Sequence, residues 1–363
     1  MKRVNTAVWQ EKYNRWQLKV QKDGTRRAFY STTPGRTGQR ECNKKADEWL
    51  DEGILHTNTK SDKIFDMWIE ELKITTSYCH WKQYESYGKI WIKPKIKHLN
   101  PEDITEQTLQ TIVNYAFSKK LAKKTLSNIA ACSKAFIKYC RKSKLTTLLP
   151  ENVYIPRQAP KKEKVILQPD DVSKLFKHDN TLYKGKEIYE LYINAYRFEV
   201  ATGMRPGEVI GLKKDDITKN RINIKRAINQ YQIETTGKND NARRSFGITD
   251  TVRNILENQE KKLEELGIES EYVFPNESGD HIKPQVFYRR WVSYRDYIGI
   301  SKVTPYELRH TFVSVVKCLP EGLLKPLVGH SKDMDTYGIY SHEINGDVDI
   351  TAQKVDDIFK RIL

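Results

Sequence analysis

Hydrophobic and polar positions alternate with a period of two near the start of the chain and then turn to a helical period. Trp16–Val20 and Arg26–Thr32 are short β-prone runs separated by Asp23-Gly24, a strong hairpin signal. Val4–Trp9 offers a third strand, and Arg40–Gly53 is helix-like, ending on a glycine suited to the position just past a helix. Trp9, Trp16, Phe29 and Trp49 supply the apolar bulk that so small a sheet needs. Residues 58–150 are helical, with candidates at Ser61–Ile74, Tyr78–Ile92, Thr105–Phe117 and Lys123–Lys142. Asn100-Pro101 and Leu149-Pro150 mark breaks. The stretch 151–164, ENVYIPRQAPKKEK, holds two prolines and little to bury, and predicts a flexible linker. Beyond it, helices are expected from Gln168-Pro169 and over Glu187–Ala201. Three β-prone runs follow, Arg221–Lys225, Ile228–Glu234 and Arg244–Ile248. Thr251–Leu266, Gln285–Tyr297, Pro305–Lys317, Pro320–Val328 and the tail Asp347–Leu363 return to helix. The pattern predicts a multidomain, mainly α protein. Its parts are a small N-terminal three-stranded β-sheet plus helix (1–57), a helical domain (58–150), a linker (151–164) and a mixed α/β, mostly α domain (165–363).

Charge separates these parts by task. The 363 residues carry a formal net charge of +16. Residues 1–57 hold 12 Lys/Arg against 7 Asp/Glu, residues 58–164 hold 21 against 10, and residues 165–363 hold 30 against 30. All the positive excess lies in the first 164 residues, which fits a polyanionic partner, nucleic acid before membrane. Lys19, Arg26 and Arg27 on an exposed strand face suit groove contacts. Lys89, Lys93, Lys123, Lys124 and Lys134, interleaved with Tyr84, Tyr87, Trp91 and Tyr139, suit a phosphate-binding helical face. A flexible link between two such modules would let the chain close around a duplex. The 5 cysteines form no CxxC pair, which argues against a disulfide scaffold or a structural zinc site. No apolar run approaches the roughly 18 residues of a spanning helix, and no signal peptide opens the chain, so a cytoplasmic protein is expected.

Four short segments in the last part carry chemistry. ATGMRPGE (201–208) ends one helix at Gly203 and starts another at Pro206, with Arg205 at the joint beside backbone N–H groups that favour an anion. Lys238 follows Gly237 between two β runs, where a hairpin tip reaches into a groove, and Arg243-Arg244 comes after it. TPYELRHT (304–311) opens a helix and offers Arg309 and His310. VGHS (328–331) is followed by Tyr337, Tyr340, Ser341 and His342. Each fragment alone has an ordinary reading: a solvated arginine, a capping histidine, a packed tyrosine. Their combination and order are what single them out.

In that order the residues resemble the tyrosine recombinases, the phage integrase family. TGMRPGE resembles the family's first arginine box, LRHTF its second, LVGHS its histidine box and YSH its Tyr-x-His end. Lys238, six residues before Arg244, is similar to the lysine of the family's hairpin pattern. The resemblance is specific for 201–208 and 304–342 and looser for the helical domain. Residues 1–57 resemble the small arm-binding domains of phage and conjugative-transposon integrases, and residues 58–150 their SAM-like core-binding domain.

The resemblance implies a metal- and ATP-independent DNA strand transferase with no cofactor. Tyr340 would attack phosphorus to form a 3′-phosphotyrosine. Arg205 and Arg309 would neutralise the phosphate oxygens by forked hydrogen bonds, Lys238 would protonate the departing 5′-oxygen, and His330 would hold an oxygen or assist proton movement. Glu208 would orient the first box, or simply place a negative charge at a helix N-terminus. One position departs from the family: Tyr306 stands where a histidine or lysine is usual. A neutral phenol donates a hydrogen bond but is a poor base, its unperturbed pKa being about 10. His310 is read as lying on a different helical face from Tyr306 and as packing or capping. Tyr337, one turn before Tyr340, is the rival nucleophile, and Ser341-His342 favours Tyr340.

The implied partners are double-stranded DNA attachment sites and accessory DNA-bending proteins, with a homotetramer on DNA at the nucleoid of a bacterial cell. The tail Asp347–Leu363, with Val348, Ile350, Val355, Ile358, Phe359 and Ile362 apolar, would dock on a neighbouring subunit, with packing on its own domain as the alternative. A type IB topoisomerase-like relaxing enzyme shares this chemistry, but needs no second specific DNA site of the kind residues 1–57 suggest. A catalytically silent site-specific DNA-binding protein would bind without forming an adduct.

Overall fold

In the computed structural model the chain is described over residues 5–22, 25–51, 59–161, 164–236, 243–320, 323, 324, 327, 329 and 347–363. It divides into two compact units, 1–162 and 163–363. The fold is mainly α with an N-terminal β region.

The first unit opens with an antiparallel sheet of β1 (Val8–Gln10), β2 (Arg15–Lys22) and β3 (Thr25–Ser31), in that order. Pairs Trp9↔Trp16, Leu18↔Phe29 and Val20↔Arg27 set the register. Because strand side chains alternate, Leu18 and Val20 face inward, where Ala7, Cys42, Ala46 and Leu50 meet them beneath Trp16, Phe29 and Trp49. Cys42, Ala46, Trp49 and Leu50 lie on α1 (Gly35–Asp51), which starts five residues earlier than its periodicity predicts. Gly35 takes φ +73°, and a Cβ on Gly38 would stand 1.7 Å from the Thr33 carbonyl oxygen. These glycines let the helix begin hard against the end of β3. The expected helix end at Gly53 and the Asp23-Gly24 turn lie outside the described residues.

Next come α2 (Ser61–Thr75), α3 (Tyr78–Tyr87), α4 (Lys93–Ile96), α5 (Glu106–Ser118) and α6 (Lys123–Lys142). Between α3 and α4 the helix widens into a π-turn at Gly88–Ile92. Pro94 lacks an N–H and its ring would collide with the carbonyl four residues back, so a widened turn just before it relieves the strain. Gly88 sits against Phe65, whose Cε1 would be 2.2 Å from an added Cβ. Ile64, Phe65, Trp68, Ile112, Ile129 and Phe136 form the apolar centre.

The segment expected to be a linker is fastened to this unit over most of its length. The Glu106 carboxylate accepts the backbone N–H groups of Glu151 at 2.5 Å and Asn152 at 2.8 Å. Gln110 both accepts from and donates to the Tyr154 backbone, and the Lys123 N–H donates to the Pro160 carbonyl at 2.8 Å. Ala159 is buried. The prolines are read correctly as non-helical, but side chains on α5 satisfy the backbone that a free linker would leave to water.

The second unit holds α7 (Pro169–Lys177), a hairpin of β4 (Asn180–Tyr183) and β5 (Lys186–Tyr189), α8 (Ile193–Thr202) and α9 (Pro206–Ile210). The helix predicted over Glu187–Ala201 is therefore a strand in its first part. Lys184 and Gly185, at φ +50° and +76°, make a tight two-residue turn whose positive φ values match the twist of the strands. β6 (Arg221–Ile224) pairs with β9 (Arg244–Gly247), and β7 (Ala227–Ile228) pairs with β8 (Glu234–Thr235). Helices α10 (Asp250–Leu266), α11 (Pro284–Ile298), α12 (Pro305–Val315) and α13 (Asp347–Lys360) complete the unit. Its core centres on Tyr196, Phe198, Trp291, Tyr294 and Phe312.

The C-terminal helix packs on its own unit. Val355 and Phe359 are buried, and Phe359 stacks on Phe312 with ring centres 6.3 Å apart. The Asp356 carboxylate caps α10 by accepting from the Thr251 N–H at 3.0 Å and its hydroxyl at 2.9 Å. In the single chain the tail thus packs on its own domain, the alternative to docking on a neighbouring subunit. Among the described residues, no helix is long and apolar enough to cross a membrane.

Candidate active site and nucleic-acid interface

The site grows from the joint between α8 and α9. α8 ends because Gly203 takes φ +64°, a conformation that favours glycine. A Cβ there would stand 2.3 Å from Phe312 Cδ1, so the same glycine lets α8 close on α12. Pro206 then restarts the chain as helix, and Arg205 becomes its N-cap residue. Glu208, one turn on, accepts the Arg205 backbone N–H at 2.8 Å and its Nη1 at 2.7 Å. Arg244, at the start of β9, reaches the same carboxylate with Nη1 at 3.1 Å and Nη2 at 2.9 Å. Glu208 is only 3 % exposed. Burial pushes its carboxyl up, but the hydrogen bonds and charge of Arg244, with the hydrogen bonds of Arg205, outweigh burial and hold it below the usual carboxylate range. Glu208 is therefore at once a helix N-terminal charge and a clamp on two guanidiniums. The clamp through Arg244 was not foreseen, because it depends on the long-range β6–β9 pairing. The Arg243-Arg244 pair at the head of a β run was its only trace in the sequence.

Arg309 enters from α12 and donates to the Gly203 carbonyl at 2.7 Å, which ties the two arginine segments together. It is 2 % exposed. Burial, then the charges of Arg205 and Arg244, pull it down to about 10, while Glu208 and Tyr306 oppose them. It stays cationic at neutral pH. Three guanidiniums thus converge around one ionised carboxylate, an arrangement that favours a further anion.

Tyr306 is half-exposed on the first turn of α12. His310 lies four residues on, and the two rings meet edge to face with centres 5.3 Å apart. They share one helical face, as spacing of four requires, so their assignment to different faces is corrected. Burial lowers the His310 pKa, followed by the charges of Lys164 and Arg309, with Glu307 opposing, so the ring is biased toward neutrality. Lys238, His330, Tyr337, Tyr340, Ser341 and His342 lie outside the described residues.

The expected DNA-contacting residues divide by geometry. Lys19 and Arg26 share the sheet face away from the buried Leu18 and Val20, joined by Arg15, whose guanidinium stacks on Tyr30 at 4.0 Å. Arg27 pairs with Val20 and lies on the opposite face, over Phe29 and Trp49, because side chains alternate along the strand. Its placement with Lys19 and Arg26 is corrected accordingly. Lys89 and Lys124 are exposed, and Lys123 and Lys134 are partly so, three turns apart on α6. Lys93 is engaged by Asp66 at 2.7 Å and is less available to a phosphate than its spacing suggested.

Comparison with known proteins places this architecture. The phage integrase family model matches residues 166–345, and through this unit the chain belongs to that family, the tyrosine recombinases. Over 218 residues it is 29% identical to a tyrosine recombinase XerD of Listeria monocytogenes, covering 57% of this chain and 64% of that protein. The chain thus matches under two thirds of that relative's length. A Tn1549 transposon integrase in complex with transposon right end DNA superposes with a TM-score of 0.61 at 15% identity, covering 82% of this chain and 99% of that one. A lambda integrase dimer bound to a COC′ core site gives 0.59 at 16% identity, covering 95% and 97%. At these identities the solved structures establish the shared fold.

Proposed function

We propose that this chain is a site-specific DNA recombinase, an integrase that cuts and rejoins strands to integrate and excise a mobile element. The observation that carries the reading is the convergence of Arg205 and Arg309 through the Gly203 carbonyl, braced by Glu208. Like charges held together in a partly buried site are costly until an anion arrives between them. A phosphodiester supplies that anion, and the two guanidiniums strengthen their hold as charge builds on the non-bridging oxygens in the transition state.

In the proposed reaction the Tyr340 phenol oxygen attacks phosphorus. A bond forms from that oxygen to phosphorus as the phenol proton passes to His330 or to water, the bond to the 5′-oxygen breaks, and Lys238 gives the departing oxygen a proton. His330 holds a phosphate oxygen or assists proton transfer. Tyr306 donates a hydrogen bond at most. The ester energy remains in the phosphotyrosine, so a 5′-hydroxyl reverses the step and reseals a strand without ATP. The sheet of the first unit would take arm-type sites through Arg15, Lys19 and Arg26, and its helices would take core sites through Lys89, Lys123, Lys124 and Lys134. The DNA complexes of the Tn1549 and lambda integrases support a multimer on DNA, with a homotetramer and bending proteins as the proposed assembly.

The test is a pool of nicked duplexes of randomised sequence incubated with the full chain. Wild type should form a covalent protein–DNA adduct that survives denaturation, Tyr340→Phe should form none, and Tyr337→Phe should be unaffected. Binding without any adduct from wild type would refute the enzymatic reading.

A further inference from the structure

The second unit contains a buried acid that the proposed chemistry does not use. Glu199 lies on α8, one turn before Gly203, and is 0 % exposed. Neither of its carboxylate oxygens has a hydrogen-bond partner among the described residues. A buried polar group left in that state costs stability and calls for an account in terms of function. Two neighbouring elements bring charge to it. Arg309, on α12, favours its ionised form, and Glu208, on α9, opposes it. Tyr196, on α8 itself, is a further titratable neighbour. α10 also packs on α8, but its buried residues Thr251, Val252, Ile255, Gln259 and Leu263 carry no charge. Burial is the largest influence on Glu199 and holds its carboxyl well above the usual range, with Arg309 pulling the other way.

Resting on the reading that a phosphate docks at Arg205 and Arg309, we propose that Glu199 is a positioning residue whose proton governs the anion affinity of Arg309. Carrying its proton, it leaves the guanidinium's charge to the phosphate. Ionised, it takes that charge for itself. The convergence of Arg205, Arg244 and Arg309 on Glu208 leaves positive charge in excess. An ionised Glu199 and a bound phosphate compete to neutralise that excess. Above the pH at which Glu199 ionises in the anion-free chain, anion binding therefore draws one proton from solvent onto a Glu199 oxygen, and release of the anion returns it. No other bond changes.

Sulfate is the probe, since its charge is constant between about pH 6 and pH 9, where Arg309 also stays charged. It is titrated calorimetrically into the full chain in buffers of different ionisation enthalpy, which counts protons taken up per anion bound. Once pH is high enough to ionise Glu199 in the anion-free chain, wild type should take up protons on binding and lose about tenfold in affinity per pH unit. E199Q should take up none at this site and hold its affinity within about twofold, as should E199M if glutamine is poorly tolerated. Sulfate sites elsewhere on this basic chain are common to all the proteins and cancel in the comparison. Equal uptake in wild type and E199Q, or no uptake by wild type at any pH, overturns the proposal.

A second measurement needs no anion. A carboxyl raised in the folded state contributes stability that is present below its unfolded value of 4.5 and lost as pH rises toward its folded value. The Tm of E199Q should therefore gain on wild type as pH climbs above 4.5. A gap that does not change with pH overturns the proposal as well. Covalent adduct formation is read separately: its absence, with sulfate-linked proton uptake intact, would count against the recombinase reading and leave Glu199's role standing.

Discussion

Replacing Glu208 by glutamine separates two readings of that residue. As a negative charge at the N-terminus of α9, it would contribute about 0.3–1 kcal/mol. As a clamp, it accepts four hydrogen bonds, two from Arg205 and two from Arg244, while 3 % exposed. Glu208→Gln keeps the shape but removes the charge, and it turns an NH2 group toward guanidiniums that can only donate. Removing one partner of a buried ion pair costs about 3–5 kcal/mol. Arg205 keeps a side-chain exposure of 34%, so water softens its share and the lower end is expected. Urea unfolding followed by tryptophan fluorescence should show a loss of about 3 kcal/mol, roughly two orders of magnitude in the folding equilibrium. The sign with pH is fixed too. The Glu208 carboxyl is depressed in the folded state, so its contribution is present above the unfolded value of 4.5 and lost as pH falls through the folded one. The gap between wild type and Glu208→Gln should therefore close on acidification. A loss under about 1 kcal/mol at neutral pH, with adduct formation unchanged, would reduce Glu208 to a helix-end charge.

Other substitutions follow from the same packing. Gly203→Ala forces a side chain into the left-handed region and against Phe312, at a cost of about 2–4 kcal/mol by urea unfolding; adduct yield should fall more steeply than that of a surface variant of equal stability, because the Arg309 anchor moves. Phe359→Ala empties a site that is 1% exposed and should cost about 3–5 kcal/mol, independent of protein concentration; a loss that shrinks with rising concentration would mean the helix docks on a neighbour after all. Arg15→Ala and Lys19→Ala should each lower the slope of affinity against salt by about 1 for arm-type DNA, while Arg27→Ala leaves it unchanged.

What the sequence disclosed and what it hid have physical reasons. Lys123–Lys142 was readable to the residue, since its apolar stripe recurs at helical spacing and the chain breaks on both sides. The start of α8 was obscured by a Lys-Gly turn, which is a weaker signal than Asn-Gly although it meets the same need for positive φ. The arginine boxes were legible because Gly203 and Pro206 punctuate the first and Thr304-Pro305 opens the second, and punctuation is local. Arg244 was not, because nothing within a few residues of it announces a carboxylate 36 positions away. Arg27 was misplaced by reading a basic cluster without the alternation of the strand. Glu199 drew no notice because an acid within a helical sequence is ordinary until burial makes it unusual.

The fastening of residues 151–160 by Glu106, Gln110 and Lys123 bears on how such proteins can be recombined by design. A chimera that takes its front half from one integrase and its back half from another should be spliced after Pro160 rather than at Pro150. A seam at the earlier proline would strip α5 of the strap that satisfies Glu106 and that buries Ala159 in the core of this unit. The graft would then inherit an unfinished module.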